Sequence, residues 1–214
     1  MDALILAGGK GSRLSPWPAP KTLLPIAGVP MIERMLRHLE DGGLARAIIC
    51  TGYRAGDIEA AVNRRAGKIA VLLSNAGEDA PMGARLLRAR EEHGIEGRVL
   101  VLYGDELSDM SIHTLVWFHE ASAARMTFVG HRYRLPFGVV ERTRIRDDEE
   151  VTVNIGLALA EPDCWAELRT EDGLSDWINR IGAREGAVAC WRHNGKRATV
   201  NSLADLAYAE EVWR

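Results

Sequence analysis

The chain opens with a mostly apolar run, D-A-L-I-L, that passes directly into A-G-G-K-G-S-R. A short apolar run bounded by glycines predicts a buried strand over residues 2–6. From Pro30 to Leu39 the apolar residues fall at Met31, Ile32, Met35, Leu36 and Leu39, which is helical spacing, and Gly42 and Gly43 stop the helix. An apolar run at 47–50 predicts the next strand, 57–65 a helix and 69–73 a third strand. The alternation continues with a helix over 86–92, a strand over 99–103, a helix over 112–123 and a strand over 126–129. Strands separated by helices predict a parallel or mostly parallel sheet covered on both faces.

After Gly130 the pattern changes. Two strand-like segments, 138–141 and 151–159, are joined through the charged stretch R-T-R-I-R-D-D-E-E and predict an antiparallel annex to the main sheet. Helices near 162–169 and 174–181, a short strand over 187–191 and a helix over 202–213 follow. With no internal repeat, low-complexity segment or Pro/Gly/Ser-rich linker to mark a boundary, residues 1–214 read as one α/β domain. Its expected form is a three-layer, mostly parallel sheet with helices on both faces and a small antiparallel annex.

Composition narrows the partners. A hydrophobic content of 47% over 214 residues is enough for one well-buried core. Twenty-seven Lys plus Arg against 30 Asp plus Glu leave a net charge of -3 with the signs interspersed, which argues against nucleic acid or an anionic membrane as partner. No apolar run approaches a membrane span and the first residues lack the pattern of a secretory signal, so a cytoplasmic location is expected. Cys50, Cys164 and Cys190 are far apart and in apolar contexts, the pattern of buried thiols rather than of a disulfide framework or a zinc site. The six histidines form no H-x-x-x-H pair. The six tryptophans are scattered and suited to packing the core or an oligomer interface, which leaves a homo-oligomer open.

The chemistry concentrates where the first strand ends. In an open α/β fold the carboxyl edge of the sheet is where ligands bind. Small residues there let the backbone approach closely, and glycines adopt the dihedrals that aim successive N–H groups at one anion. Leu6, Ala7, Gly8, Gly9, Lys10 and Gly11 therefore read as a phosphate-binding loop, with Lys10 and Arg13 adding full charges. Two familiar phosphate loops do not fit: Gly9 and Gly11 are followed by Leu14 rather than a third glycine, and Gly11 is followed by Ser12 rather than Lys. V-L-V-L-Y-G-D-E at 99–106 is a second strand that brings a carboxylate, Asp105, to the same edge.

The longer pattern is more specific. L-I-L-A-G-G-K-G-S-R-L at 4–14, followed by P-A-P-K-T-L-L-P-I-A-G-V-P-M-I-E at 18–33, resembles the nucleotidyltransferases that act on sugar 1-phosphates. A-G-E-D-A-P-M-G-A-R-L-L-R at 76–88 and the stretch from Ala189 to Trp213 are similar in particular to glucose-1-phosphate cytidylyltransferases, so the resemblance spans nearly the whole chain. It implies a Rossmann-like sheet and transfer of a nucleoside monophosphate from a triphosphate to a sugar 1-phosphate. CTP is the favoured donor, with dTTP or GTP as alternatives. The implied cofactor is Mg2+, held by Asp105 and by Asn201, which stands where those enzymes carry Asp. Arg13 and Lys10 would neutralise the β- and γ-phosphates and Lys21 would face the α-phosphate or the sugar phosphate. Met82, Gly83 and Arg85 would lie over the base, and Gly138, Glu141, Asn154 and Gly156 would line the acceptor pocket.

One departure stands out. The family places an E-K-P motif between the strand that begins F-G-V-V and the N-x-G strand, and its lysine contacts the sugar phosphate. Here Glu141 reaches Val153 through only eleven residues and the motif is absent. Arg142, Arg144 and Arg146 alternate along that stretch, and Arg142 or Arg144 is the expected replacement for the lysine. Other readings are a catalytically silent, ligand-sensing relative, favoured by the lost motif and by Asn201, and a cytidylyltransferase for a non-sugar phosphate. A glycosyltransferase is a third, but Tyr103-Gly104-Asp105 lacks the Asp-x-Asp usual at that class's metal strand.

Overall fold

The computed structural model describes residues 1–11, 17, 19–134, 139–141, 144–146 and 150–214, with Arg134 and the two strands within 139–146 given as backbone. Its elements begin with β1 (Asp2–Leu6), a 3-10 turn at Lys21–Leu23, β2 (Pro25–Ile26), β3 (Val29–Pro30) and α1 (Met31–Asp41). Then come β4 (Arg46–Thr51), α2 (Ala55–Val62), β5 (Ala70–Asn75), α3 (Met82–His93), β6 (Val99–Tyr103) and β7 (Glu106–Ser108). They continue with α4 (Ile112–Ser122), β8 (Met126–Arg134), β9 (Val139–Glu141), β10 (Arg144–Arg146) and β11 (Glu150–Ala160). A 3-10 turn at Pro162–Glu167, α5 (Leu174–Ile181), β12 (Val188–His193), β13 (Arg197–Thr199) and α6 (Leu203–Val212) follow.

Among the described residues seven strands form the main sheet, in the order β12-β8-β11-β6-β1-β4-β5. β1 is parallel to β4 and β6, β4 to β5, and β8 to β12. The period-2 alternation of strand side chains decides which face each residue serves. Ile5, Ile49, Leu100 and Leu102 point into one core with Met31, Met35, Leu36 and Leu39 of α1 and Leu115 of α4. Leu4, Ile48, Val99 and Val101 point into the other, with Leu86 and Ala89 of α3 and Trp177, Ile178 and Ile181 of α5. The sheet is thus covered on both faces, as the alternating pattern predicts.

The annex is smaller than the sequence suggests. Among the described residues, β9 pairs with β10 alone, as a separate antiparallel ribbon. The 151–159 segment expected beside them runs instead in the main sheet, antiparallel between β6 and β8. Its second half, I-G-L-A-L-A from Ile155 to Ala160, is buried throughout, which this place in a sheet covered on both faces accounts for. The expected helix over 162–169 is the short 3-10 turn. Two small two-stranded ribbons were also unforeseen. β2 and β3 are joined by Ala27 (φ 46°) and Gly28 (φ 75°), both left-handed, as a tight two-residue hairpin turn requires. β7 pairs with β13.

This topology decides where chemistry can occur. Leu6 lies opposite Tyr103 on one side and Cys50 on the other, so three parallel strands end at one level. Among the described residues no helix is long and apolar enough to cross a membrane.

The α5 layer depends on Trp177, fully buried, whose indole N–H donates to the carbonyl of Cys164 at 3.0 Å and whose ring lies 5.6 Å from that of Trp165. Trp177→Ala should lower the unfolding free energy by about 3–5 kcal/mol in urea titration, the cost of a large aromatic cavity. A loss below about 1 kcal/mol would mean that this layer contributes little.

Candidate active site

A crevice of about 270 Å³ opens at the shared strand ends. Leu6, Ala7, Gly9 and Gly11 wall it from the first loop, Lys21 and Thr22 from the 3-10 turn, and Tyr103, Gly104 and Asp105 from the end of β6. The glycines are there for different reasons. Gly104 donates to the Leu6 carbonyl at 3.0 Å, and a Cβ on it would lie 2.7 Å from that oxygen. Gly11 sits at φ +63° against the Lys21 side chain. At Gly9 a Cβ would meet nothing within 4 Å, so its bare backbone faces open space. A second cavity, of about 240 Å³ between α1 and β7, shares no residue with the crevice and contains no glycine.

Two charged lining residues meet at the crevice wall. Lys21 Nζ donates to Asn201 Oδ1 at 2.5 Å and lies 3.5 Å from Asp105 Oδ2. Asn201 arrives from the far end of the chain because β13 lies on β7 with Thr199 opposite Glu106, and Val200 N–H donates to the Asp105 carbonyl at 2.9 Å. The Asn201 N–H is held in turn by Asp205 Oδ2 at 2.9 Å, at the start of α6. A carboxylate and an amide oxygen therefore converge on a position that accommodates a cationic group. Among the described residues no cluster of three or more His, Cys, Asp or Glu could form a metal cage. This donor set fits Mg2+, which takes one or two protein oxygens and completes its shell from water and phosphate.

Arg85, Met82 and Gly83 occupy positions behind the crevice. The Arg85 guanidinium is buried and donates to the carbonyls of Ala80 (2.9 Å), Thr51 (2.5 Å), Glu78 (2.9 Å) and Gly8 (3.3 Å). It ties three chain segments together beneath the glycine loop, and burial lowers its pKa. Gly83 packs on the 169–170 backbone, where a Cβ would lie 1.9 Å from the Arg169 carbonyl, and its N–H donates to Asp172 O at 2.9 Å. Met82 is partly buried against the α3–α5 core. Lys10 reaches outward to Asp79 (2.9 Å) and Glu78 (3.3 Å), and these carboxylates raise its pKa.

Of the residues expected to line the acceptor pocket, Asn154 Oδ1 accepts from the Gly156 N–H at 2.9 Å, within an irregularity of the β8–β11 pairing. Gly156 adopts φ +73°, and a Cβ on it would lie 2.4 Å from the Tyr103 ring. N-x-G is therefore a local kink that seats Tyr103 at the crevice wall, and burial raises the pKa of that phenol. Glu141 and Arg144 are cross-strand partners in the β9–β10 backbone. Arg13, Gly138 and Arg142 lie outside the described residues, as do the side chains of Glu141 and Arg144. Sequence reasoning passed over Thr22 and Tyr103, although both adjoin motif residues. It also passed over the Glu106–Arg197 pair, which only the β7–β13 register reveals.

Two glycines should separate fold from ligand binding. In Gly8→Ala the new Cβ meets Arg85 Nη1 at 1.8 Å, so melting temperature should fall by several degrees, consistent with the ~1–3 kcal/mol cost of overpacking. Gly9→Ala should melt within a degree or two of wild type yet bind nucleoside triphosphate more weakly, because its methyl enters the crevice. Equal melting and binding in both variants would contradict this division.

The MobA-like NTP transferase domain family matches residues 3–170. A glucose-1-phosphate cytidylyltransferase of Salmonella typhi is 26% identical over 248 residues, covering 100% of this chain and 96% of that protein. A mannose-1-phosphate guanylyltransferase of Mycobacterium tuberculosis is 30% identical over 197 residues, 84% of this chain and 47% of that one. Among solved structures, a putative glucose-1-phosphate thymidylyltransferase from Bacillus anthracis superposes with a TM-score of 0.78 at 20% identity, covering 99% of this chain and 94% of that one. With its glycine crevice at the sheet's carboxyl edge and a family match over most of its length, the chain belongs to the MobA-like NTP transferase domain family.

Proposed function

We propose that this chain transfers a nucleoside monophosphate to a sugar 1-phosphate. An oxygen of the sugar phosphate attacks the α-phosphorus of the triphosphate. That P–O bond forms as the bond from the α-phosphorus to the α,β-bridging oxygen breaks, and pyrophosphate leaves with the electron pair. The nucleophile is already ionised, so no Ser-His-Asp relay is required, and positioning with charge neutralisation supplies the rate. The observation that carries this reading is the meeting of Asn201 with Lys21 and Asp105, two residues that line the glycine crevice.

Each residue then has a task. The N–H groups of the 7–11 loop receive the triphosphate, and Lys10 exchanges Glu78 and Asp79 for its outer phosphates. Arg13 neutralises the departing pyrophosphate. Lys21 holds the α-phosphate beside the acceptor phosphate, and Asp105 with Asn201 holds Mg2+. When bound, Mg2+ supplies Lewis-acid stabilisation and a template for both substrates. Arg85 acts on the base side through the loops it ties together, with Met82 and Gly83 fixing the start of α3. Gly138, Glu141, Asn154 and Gly156 form the acceptor side, where Tyr103 offers a ring face. CTP is the favoured donor, supported by the full-length similarity to proteins named glucose-1-phosphate cytidylyltransferase and by the A-P-M-G-A-R stretch. A homo-oligomer fits the scattered tryptophans, among which Trp117 is well exposed.

Pyrophosphate release from CTP, dTTP, GTP and UTP, each paired with a panel of sugar 1-phosphates, tests the reaction. CTP with one sugar 1-phosphate should turn over fastest, and EDTA or Asp105→Ala should abolish the signal. No release from any pair, or undiminished turnover in EDTA, would contradict the reading. A second prediction concerns the missing lysine. At least one of Arg142→Ala and Arg144→Ala should raise the acceptor KM about tenfold or more while leaving the triphosphate KM unchanged, the loss expected of a charge-assisted contact. Unchanged acceptor kinetics in both would contradict this replacement of the lysine by arginine.

A further inference from the structure

Asp105 and Asn201 come from distant parts of the chain, and their relative placement depends on the short β7–β13 ribbon. Three residue pairs join the two strands: Glu106 with Thr199, Leu107 with Ala198 and Ser108 with Arg197. A two-stranded ribbon of that length is weakly determined by its ladder alone. One face is anchored by Leu107 and Ala198, both buried in the core. The opposite face carries charge instead. Glu106, with its side chain 2% exposed, accepts from Arg197 Nε at 2.9 Å and from Nη2 at 3.2 Å. The Thr199 hydroxyl donates to the same carboxylate and accepts from Arg197 Nη2. Glu106 directly follows Asp105, and Thr199 stands two residues before Asn201.

A buried ion pair is a poor means of adding stability, since desolvation cancels much of its attraction and packed apolar residues often do as well. What a bidentate guanidinium–carboxylate pair adds is a fixed distance and angle between two strands. We propose that Glu106 and Arg197 are positioning residues, whose clamp across β7 and β13 sets the separation at which Asp105 and Asn201 present their oxygens to a divalent cation. The inference rests on the proposed reading of those two residues as metal donors. Groups that orient metal ligands from outside typically change metal affinity by about 10- to 100-fold when altered.

The test measures Mn2+ affinity by water-proton relaxation enhancement, with an equimolar mixture of CTP, dTTP, GTP and UTP present and no acceptor. Asp105→Ala serves as the reference for the metal reading. Glu106→Gln, Arg197→Lys and the double variant Glu106→Leu/Arg197→Met probe the clamp. The single variants should bind Mn2+ roughly 10- to 100-fold more weakly. The double variant should lose as much while its urea midpoint equals or exceeds that of wild type, a separation that a purely stabilising role would not produce. If a single variant fails to fold, the double variant decides. A folded double variant with wild-type Mn2+ affinity overturns the clamp. Wild-type protein that immobilises no Mn2+, or Asp105→Ala that binds it as well as wild type, overturns the metal reading beneath it.

Discussion

Everything at the site depends on parallel neighbours that stop at the same level. β1 and β6 pair residue for residue from Asp2–Val99 to Leu6–Tyr103, so the loops that leave them must start side by side. Gly104 secures the junction by donating to the Leu6 carbonyl, an approach that any side chain would block. The crevice is thus a consequence of sheet register, and the glycines are the residue type that register permits. Both apolar cores serve this arrangement, because β1, β4 and β6 can hold it only while buried on both faces.

A second organising contact lies below the loop. The buried Arg85 guanidinium binds four carbonyls from the glycine loop, the end of β4 and the 78–80 segment. A buried cation satisfied by backbone dipoles leaves little freedom to the segments it joins, since any movement strands charge in a low-dielectric interior. Lys10 links two of the same segments from the solvent side, through Glu78 and Asp79. The loop is held firmly from beneath and loosely from above, an arrangement suited to admitting a triphosphate without losing its shape.

Much of this was legible in the sequence, for definite reasons. Continuous apolar runs at 2–6, 47–50 and 99–103 mark central parallel strands, and the Met31–Leu39 spacing marks the helix above them, because both are local patterns. The A-G-G-K-G and Y-G-D stretches could be placed at one edge from topology alone. β11 was misplaced because periodicity reports burial and not neighbours: I-G-L-A-L-A is equally compatible with an annex and with the middle of a sheet. Arg85 was expected over the base from the resemblance at 76–88, and a sequence pattern does not say which way a guanidinium turns. Glu106, Arg197 and Thr199 carry no motif, and their meeting depends on a pairing between strands far apart in the chain.

In the proposed function one site is assembled from the end of β6 and the segment after β13, with a divalent cation between them. Iron-promoted cleavage tests this directly: Fe2+ replaces Mg2+ in the presence of nucleoside triphosphates, ascorbate and peroxide are added, and the fragments are mapped by mass spectrometry. Paired backbone cuts are expected near Gly104–Glu106 and near Val200–Ser202, both lost in Asp105→Ala. Cuts at only one of these places, or at neither, would contradict it.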